Sequence, residues 1–494
     1  MKKVHLLFAL LLVFAVLPET SFAARAPKPI HVTLLYFNDV YEITPVSGGK
    51  EGGLARVATL RKELLRKNPN TITLLGGDFF SPSALGTAKV NGEALAGRQM
   101  VDVLNRLGLQ YATFGNHEFD IKENQFEQRM REAKFTWISS NVFDAQGKPF
   151  PGVTKDLILP YSDGGKTFRI GIFGLTLAVN KPPYVSYTDA ARTAGAEVAA
   201  LKGKSDFVIA LTHQNLDDDV TLLQQQPAIN LLLGGHEHVN YQEWRGNNLA
   251  PLLKADSNVR SVYVVELYFN PATGKTRIEP KFVPINERIA EDPEVKNAVD
   301  KWTALAFDAF RRQALNPDEV VTTTTAPLNG LEADVRVRQT NLTQLIATSM
   351  LRPYPDADLA LYNSGSIRVD DTLPPGTITG YDIIRILPFG GRVELVEMKG
   401  SLLQKVLIQG DANSGSGGYL QSSNTEKSAN GTWLVKGQAI APDKYYKVSI
   451  LDFLMSGKES NLAYLNSSNP DIKVLDEGTG NDIRQLVIDQ LKSR

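Results

Sequence analysis

Five short apolar runs, each ending in a cluster of polar side chains, constrain the fold of this chain more than any other feature. His31-Val32-Thr33-Leu34-Leu35-Tyr36-Phe37 leads into Asn38-Asp39, and Thr71-Ile72-Thr73-Leu74-Leu75 into Gly76-Gly77-Asp78. Tyr111-Ala112-Thr113-Phe114 leads into Gly115-Asn116-His117-Glu118-Phe119-Asp120. Phe207 to Leu211 leads into Thr212-His213, and Ile229 to Leu233 into Gly234-Gly235-His236-Glu237-His238. Apolar runs this short, bounded by turn residues, read as buried strands. Amphipathic helical patterns separate them, as from Leu54 to Arg66 and from Met100 to Leu107. Such alternation predicts an α/β domain, in which ligands gather beyond the carboxyl ends of the strands.

The side chains at those strand ends narrow the chemistry. The chain has no cysteine and only six histidines, which excludes a disulfide framework, a thiolate metal site and a thiol nucleophile. A transition-metal site must therefore use His, Asp, Asn and other oxygen donors. Asp39, Asp78, Asn116, His213, His236 and His238 form a mixed oxygen and nitrogen set of the kind that holds two divalent first-row ions. One carboxylate must bridge such a pair, and Asp78, between Gly76-Gly77 and a helix, is the natural candidate. Two ions about 3.5–4 Å apart lower the pKa of a shared water and clamp both ends of an in-line displacement at phosphorus. His31, which begins a strand, reads as an ordinary structural residue.

Charge and targeting signals restrict partners and location. Lys plus Arg number 53 against 54 Asp plus Glu, so no global attraction to a nucleic-acid polymer is expected, and an anionic substrate must meet local positive charge. Residues 1–23 read as a secretory signal peptide: Lys2-Lys3, an apolar stretch from Val4 to Leu17, and Ser21-Phe22-Ala23 as the cleavage site. The apolar run is shorter than the ~20 residues needed to span a bilayer. The polar C-terminus excludes a hydrophobic anchoring tail. These features predict a periplasmic or secreted protein without a membrane anchor, and cysteine-free composition suits a bacterial periplasm.

The length of 494 residues predicts more than one domain. Strands around an Asn270-Pro271-Ala272-Thr273-Gly274 turn close a first domain over 28–285. Asp292-Pro293 then opens an amphipathic helix through Val295, Val299, Trp302, Leu305, Ala306 and Phe310, bounded by Pro317. Residues 286–317 are read as the interdomain connector, and 318–494 as a second α/β domain. Asp217-Asp218-Asp219 reads as a solvated helix start.

Asn38-Asp39, Gly77-Asp78, Gly115-Asn116-His117-Glu118, Thr212-His213 and Gly235-His236-Glu237-His238 resemble, in order, the five blocks of calcineurin-like metallophosphoesterases. The resemblance implies a four-layer αββα domain. It assigns Asp39, Asp78 and His238 to one metal, and Asp78, Asn116, His213 and His236 to the other. His117 would face the substrate phosphate and stabilise the transition state or the leaving oxygen. Asp120, three residues on, would either orient that imidazole or cap a helix. The sequence departs from the pattern at Tyr41, where the family usually carries a histidine ligand. A phenol with pKa ≈ 10 ligates well only when ionised or facing a harder ion, so Tyr41 is expected to line the site and ligate weakly or not at all. The fourth block continues Gln214-Asn215 in place of a usual glycine, a turn that Asn can sustain at positive φ.

Over nearly its whole mature length the chain resembles 5′-nucleotidases, including the ecto-5′-nucleotidase and UDP-sugar hydrolase branches. The resemblance rests on Arg336-Val337-Arg338-Gln339-Thr340-Asn341-Leu342, Asn363-Ser364-Gly365-Ser366-Ile367-Arg368, Leu387-Pro388-Phe389-Gly390-Gly391 and Gly418-Tyr419-Leu420-Gln421. Arg336 and Arg368 can clamp phosphate oxygens, and Asn363 can hydrogen-bond substrate. Arg338 alternates with Arg336 along an expected strand, which favours Arg336. Phe389 and Phe453 would sandwich a base, each stacking contact contributing ~1–3 kcal/mol. Glu459 matches an aspartate expected at the ribose hydroxyls, but it is longer and follows Lys458. The resemblance thus implies an exported two-metal 5′-nucleotidase acting on nucleoside 5′-monophosphates. The ions are Zn, Mn, Co or Mg, and the chain is a monomer or a dimer. The alternatives are hydrolysis of 2′,3′-cyclic nucleotides, ADP, ATP or UDP-sugars, and a non-catalytic nucleotide- or metal-binding protein.

Overall fold

The computed structural model describes residues 28–493, and the expected leader lies outside them. Two sheets stack face to face in the first domain. The seven-stranded sheet runs, edge to edge, Val153–Thr154, Thr136–Ile138, Tyr111–Ala112, Thr71–Leu75, Ile30–Phe37, Ser261–Asn270 and Lys275–Pro284. The six-stranded sheet runs Asp156–Asp163, Lys166–Thr176, Phe207–His213, Leu231–Gly234, Ala250–Lys254 and Tyr241–Arg245.

The period-2 alternation of a strand explains why two cores form. Along Ile30–Phe37, Val32, Leu34 and Tyr36 enter the core between the sheets with Ile170, Ile209 and Leu211. Leu35 and Phe37 face the other way, toward the helices Leu54–Lys67, Arg98–Leu107 and Pro293–Arg311. The outer face of the second sheet buries Phe173, Ala210 and Leu232 against Ala190–Leu201 and Leu216–Gln225. The result is the four-layer αββα arrangement. Each fully buried Leu, Ile, Val or Phe contributes about 1.5–3 kcal/mol, enough to hold strained loops at the strand ends.

The helix expected within residues 286–317 spans Pro293–Arg311 and packs along the first domain. Asp292 caps it through the Val295 amide, and Val295, Trp302, Ala306 and Phe310 are buried in the first domain's core. Trp302 Nε1 donates to Asp102 at 2.9 Å. Its apolar stripe packs on the first domain's helices, and its Phe307 reaches Tyr381 of the second domain.

The second domain is built on a five-stranded sheet in the order Leu420–Ser423, Leu359–Asn363, Tyr445–Leu451, Val393–Lys399 and Ile472–Asp476. Leu359 and Leu361 point to one core, Ala360 and Tyr362 to the other. The domains meet through direct contacts. Ile384 enters the first domain's helical core, and the rings of Phe307 and Tyr381 lie 4.9 Å apart. The Tyr381 hydroxyl donates to Glu42 at 2.9 Å, and Arg385 lies 3.7 Å from the same carboxylate. Among the described residues, no helix is long and apolar enough to cross a membrane.

Candidate metal and nucleotide site

The strand ends converge on one edge of the first domain, where the second domain covers them. Four of the proposed ligands take up left-handed backbone: Asp39 at φ 52°, Asp78 at 58°, His236 at 92° and His238 at 61°. Such conformations cost on the order of 1–3 kcal/mol each in non-glycine residues and persist where surrounding structure enforces them. Gly115 shows how tight the approach is, because a Cβ there would lie 2.0 Å from Asp78 Oδ1.

Asp78 is the centre of the cluster. Its Oδ2 lies 3.1 Å from His213 Nε2 and 3.2 Å from the Tyr41 hydroxyl, while Oδ1 accepts the His117 amide at 2.8 Å. Asp39 Oδ1 is 3.5 Å from His238 Nε2, and Asp39 Oδ2 accepts the His236 amide at 2.9 Å. Donor atoms of Asp39, Asp78 and His238 all fall within 4.8 Å of one another. His213 and His236 stand edge to face, with ring centroids 5.4 Å apart. His213 Nδ1 meets the Gly76 carbonyl at 2.8 Å, which turns Nε2 into the cluster. That nitrogen faces Asp78 Oδ2, while Asn116 Oδ1 is buried without a hydrogen-bond partner, as fits an oxygen that would bind a cation. The donor set and this orphaned oxygen fit divalent metal.

The Tyr41 side chain is buried within this group. Its hydroxyl reaches His238 Nε2 at 2.8 Å and Asp39 Oδ1 at 3.3 Å as well as Asp78. Burial and the Asp78 and Asp39 carboxylates push its pKa well above the ordinary phenol value. The charges of the cluster also shape its histidines. Burial opposes the His213 cation, yet Asp78 and Asp39 raise its pKa to about 9. Burial and His213 push His236 down to about 4.

His117 faces the same space from the first domain. Its Nδ1 is 2.6 Å from Asp120 Oδ2, and the Asn180 amide donates to the other Asp120 oxygen. Asp120 is thus bonded to the imidazole, and the residue preceding the next helix, Glu123–Glu132, is Lys122, whose backbone amide donates to Gln125 Oε1 at 3.1 Å. Burial disfavours the His117 cation, but Asp78 and Asp120 outweigh it and raise the pKa.

Arg336, Asn363, Arg368, Phe389, Phe453 and Glu459 line one cavity of about 880 Å³ together with Asp78, Asn116, His117, His236 and His238. Asp39 and His213 lie fully buried beneath it, and Asp120 lines an adjoining cavity of about 630 Å³ that shares Phe389. Phe389 and Phe453 are 54% and 41% exposed, so neither ring is absorbed into a core. The Arg368 guanidinium sits 5.6 Å over the Phe389 ring, with Nε unpartnered. Arg336 is held by Glu332 at 2.6 Å; burial and the neighbouring Arg368 lower its pKa. Asn363 donates to Glu459 at 2.8 Å and accepts from Ser366 at 2.7 Å.

Three local expectations change. Arg336 follows the short helix Glu332–Val335 rather than lying on a strand, and Arg338 pairs with Asp334 at 2.8 Å on the surface. Asn215 precedes the helix Leu216–Gln225 with φ −60°, so the fourth block needs no left-handed residue. Asp219 is buried rather than solvated, because the Lys254 ammonium lies 2.9 Å away.

Several supporting residues carry no motif signal of their own. Glu118 is buried and accepts the amides of Asp78 at 2.9 Å, Phe79 at 2.7 Å and Gly115 at 2.5 Å, tying two ligand loops together. Burial and the Asp78 charge raise its pKa to about 7, against these hydrogen bonds. Lys254 donates to the Gln214 and Gly235 carbonyls at 2.7 and 2.9 Å, and to Glu237. Its two carboxylate partners raise its pKa despite burial. Only the position of Glu118 and Glu237 inside the motif blocks could have flagged them.

Residues 31–240 match the calcineurin-like phosphoesterase family, and residues 320–465 match the 5′-nucleotidase C-terminal domain. The chain is 27% identical to a 5′-nucleotidase of Bos taurus, over 87% of this chain and 84% of that protein. It is 24% identical to Protein UshA of Yersinia enterocolitica, over 94% of both. A 5′-nucleotidase precursor from Thermus thermophilus shares the fold with a TM-score of 0.72 at 23% identity, covering 94% of this chain and 96% of that one.

Proposed function

We propose, for a chain that belongs to the 5′-nucleotidase family and is a metal-dependent phosphoester hydrolase, that it converts nucleoside 5′-monophosphates and water into nucleosides and inorganic phosphate. The observation that carries this reading is the single cavity in which proposed metal ligands, His117, two arginines and two half-exposed phenylalanines meet.

Asp39, Asp78 and His238 would hold one divalent ion, and Asp78, Asn116, His213 and His236 a second, with Asp78 as the bridge. Bound there, the pair supplies Lewis acidity toward the phosphate and a lowered pKa for water. The remaining steps belong to side chains. Arg336 and Arg368 grip phosphate oxygens through charge-assisted hydrogen bonds. Phe389 and Phe453 stack on the base, and the Asn363–Glu459 pair faces the sugar. His117, oriented through Nδ1 by Asp120, presents Nε2 to the substrate and stabilises charge on the phosphate or on the departing 5′-oxygen. Tyr41 lines the first metal position as a weak ligand.

The adjoining cavity reaches Asp120, the partner of the phosphate-facing His117, and favours a second reading, in which a group extending past a monophosphate is accepted and a pyrophosphate bond is cleaved. Chromatography of the products formed from a panel of nucleoside monophosphates, ADP, ATP, UDP-sugars and 2′,3′-cyclic nucleotides, each with Mn, Co, Zn or Mg, separates the readings, because UDP-sugars and cyclic nucleotides are cleaved without releasing inorganic phosphate. Monophosphates as the preferred substrates would support the first. Preference for a diphosphate or cyclic substrate would replace it. We further propose export through the leader over residues 1–23; a full-length precursor retained in membranes would overturn this.

A further inference from the structure

The two histidines on either side of the metal cluster are held differently. His213 Nδ1 meets the Gly76 carbonyl of its own domain. His238 Nδ1 instead meets Asp370 Oδ2 of the second domain at 2.6 Å, and both side chains are largely buried, at 13% and 15% exposure. Asp370 is itself fixed. Its Oδ1 accepts the Glu332 amide at 2.8 Å, and its carbonyl accepts the first domain's Arg260 at 2.6 Å. Its backbone is left-handed at φ 36°, a conformation that aims the side chain at a cost the surroundings must sustain.

The position of Asp370 in the chain adds a second relationship. It follows Arg368 by two residues in the segment that also carries Asn363, so one loop bears substrate-facing groups and the partner of a candidate ligand. A carboxylate on the distal nitrogen of a ligating imidazole sets its tautomer and orientation, and losing such a partner typically weakens metal binding about 10–100-fold.

We propose that Asp370 is a positioning residue that couples seating of the second domain to the metal site, locking His238 toward the ion only when its loop is docked. Substrate drawn in by Arg368 then favours the docked arrangement and tightens metal binding. By linkage, metal tightens substrate binding by the same factor. This rests on reading His238 as a ligand.

The test is calorimetric titration of Mn²⁺ into the metal-stripped full chain, with and without a non-hydrolysable nucleoside phosphonate. The variants are Asp370→Ala, Asp370→Asn, Asp371→Ala and His238→Ala, with thermal midpoints recorded to verify folding. Asp371 faces the same interface, 3.9 Å from Arg260 and 3.3 Å from Ser47, without touching the imidazole. In the wild type the phosphonate should tighten Mn²⁺ binding. Asp370→Ala should weaken the Asp39–His238 ion about 10–100-fold and erase that tightening. Asp370→Asn, which keeps an acceptor of the same reach without the charge, should fall between them, and Asp371→Ala, which keeps the imidazole contact and loses only contacts to Arg260 and Ser47, should weaken Mn²⁺ binding far less than Asp370→Ala and retain the tightening by the phosphonate. Unchanged Mn²⁺ affinity and unchanged coupling in Asp370→Ala, or in Asp370→Asn should the alanine variant not fold, would overturn the proposal. Unchanged Mn²⁺ affinity in His238→Ala would instead overturn the ligand reading beneath it.

Discussion

The Asp120 carboxylate lies 2.6 Å from Nδ1 of His117, at the lip of the cavity that the candidate metal ligands floor. This leaves Nε2 as the nitrogen available to substrate. Replacing His117 with alanine should lower kcat by about 10²–10⁴ while leaving metal content, measured by atomic emission, unchanged. Asp120→Asn should cost less, because the ring remains and only its orientation is loosened. Full activity in His117→Ala would remove the histidine from the reaction.

Tyr41 places a neutral phenol where its hydroxyl meets Asp39, Asp78 and His238. Imidazole is the better neutral donor to first-row ions. Tyr41→His should therefore tighten the first ion about tenfold, equivalent to about 1.4 kcal/mol, in a competition titration with a fluorescent chelator. A loss of affinity would show that the phenol oxygen already serves as a full ligand.

Phe389 and Phe453 should act chiefly on the base, although Phe389 also carries the Arg368 guanidinium over its ring. Phe389→Ala is expected to remove ~1–3 kcal/mol of stacking, raising KM for a nucleoside monophosphate well beyond any change on a small phosphate ester that has no base. Equal losses on both substrates would mean that the ring supports the loop instead.

The Lys254 ammonium is buried with Asp219 at 2.9 Å and with Glu237. Lys254→Met would strand both carboxylates, and breaking a buried ion pair on one side costs about 3–5 kcal/mol. Urea unfolding should show a loss of that size. A loss below about 1 kcal/mol would mean that water reaches the carboxylates once the lysine is gone.

Removing metal with a chelator should abolish hydrolysis and lower the thermal midpoint, because ions that bind only the folded chain stabilise it by mass action. Restoring Mn²⁺ should recover both. Undiminished activity after verified metal removal would contradict the proposed role of the cluster.

Much of the first domain is legible in the chain itself. The run from Val32 to Phe37 alternates between two cores in the structure because strand periodicity is a local property. The ligand-type residues follow such runs directly, so their place at strand ends is legible. But Asp39, Asp78 and Asn116 follow strands of the seven-stranded sheet, whereas His213 ends and His236 and His238 follow strands of the six-stranded one, so their convergence depends on the stacking of the two sheets. Phe389 and Phe453 are harder to read. A phenylalanine beside apolar neighbours looks like core, and only the packing leaves these rings exposed to the cavity. The helix Pro293–Arg311 is visible from its apolar spacing, but spacing does not say which domain its stripe covers.

The sequence by itself determined the two α/β units, the donor types gathered at the strand ends and the absence of thiol chemistry, since each depends on residue type and short-range spacing. Only the tertiary structure decided that Asp370 holds His238 across 132 residues, that Lys254 neutralises Asp219, and that Glu118 bridges the Asp78 and Gly115 loops. These contacts join charged side chains to partners that, apart from Gly115 beside Glu118, lie far away in the chain. Their strength comes from burial between layers and domains, which no local pattern encodes.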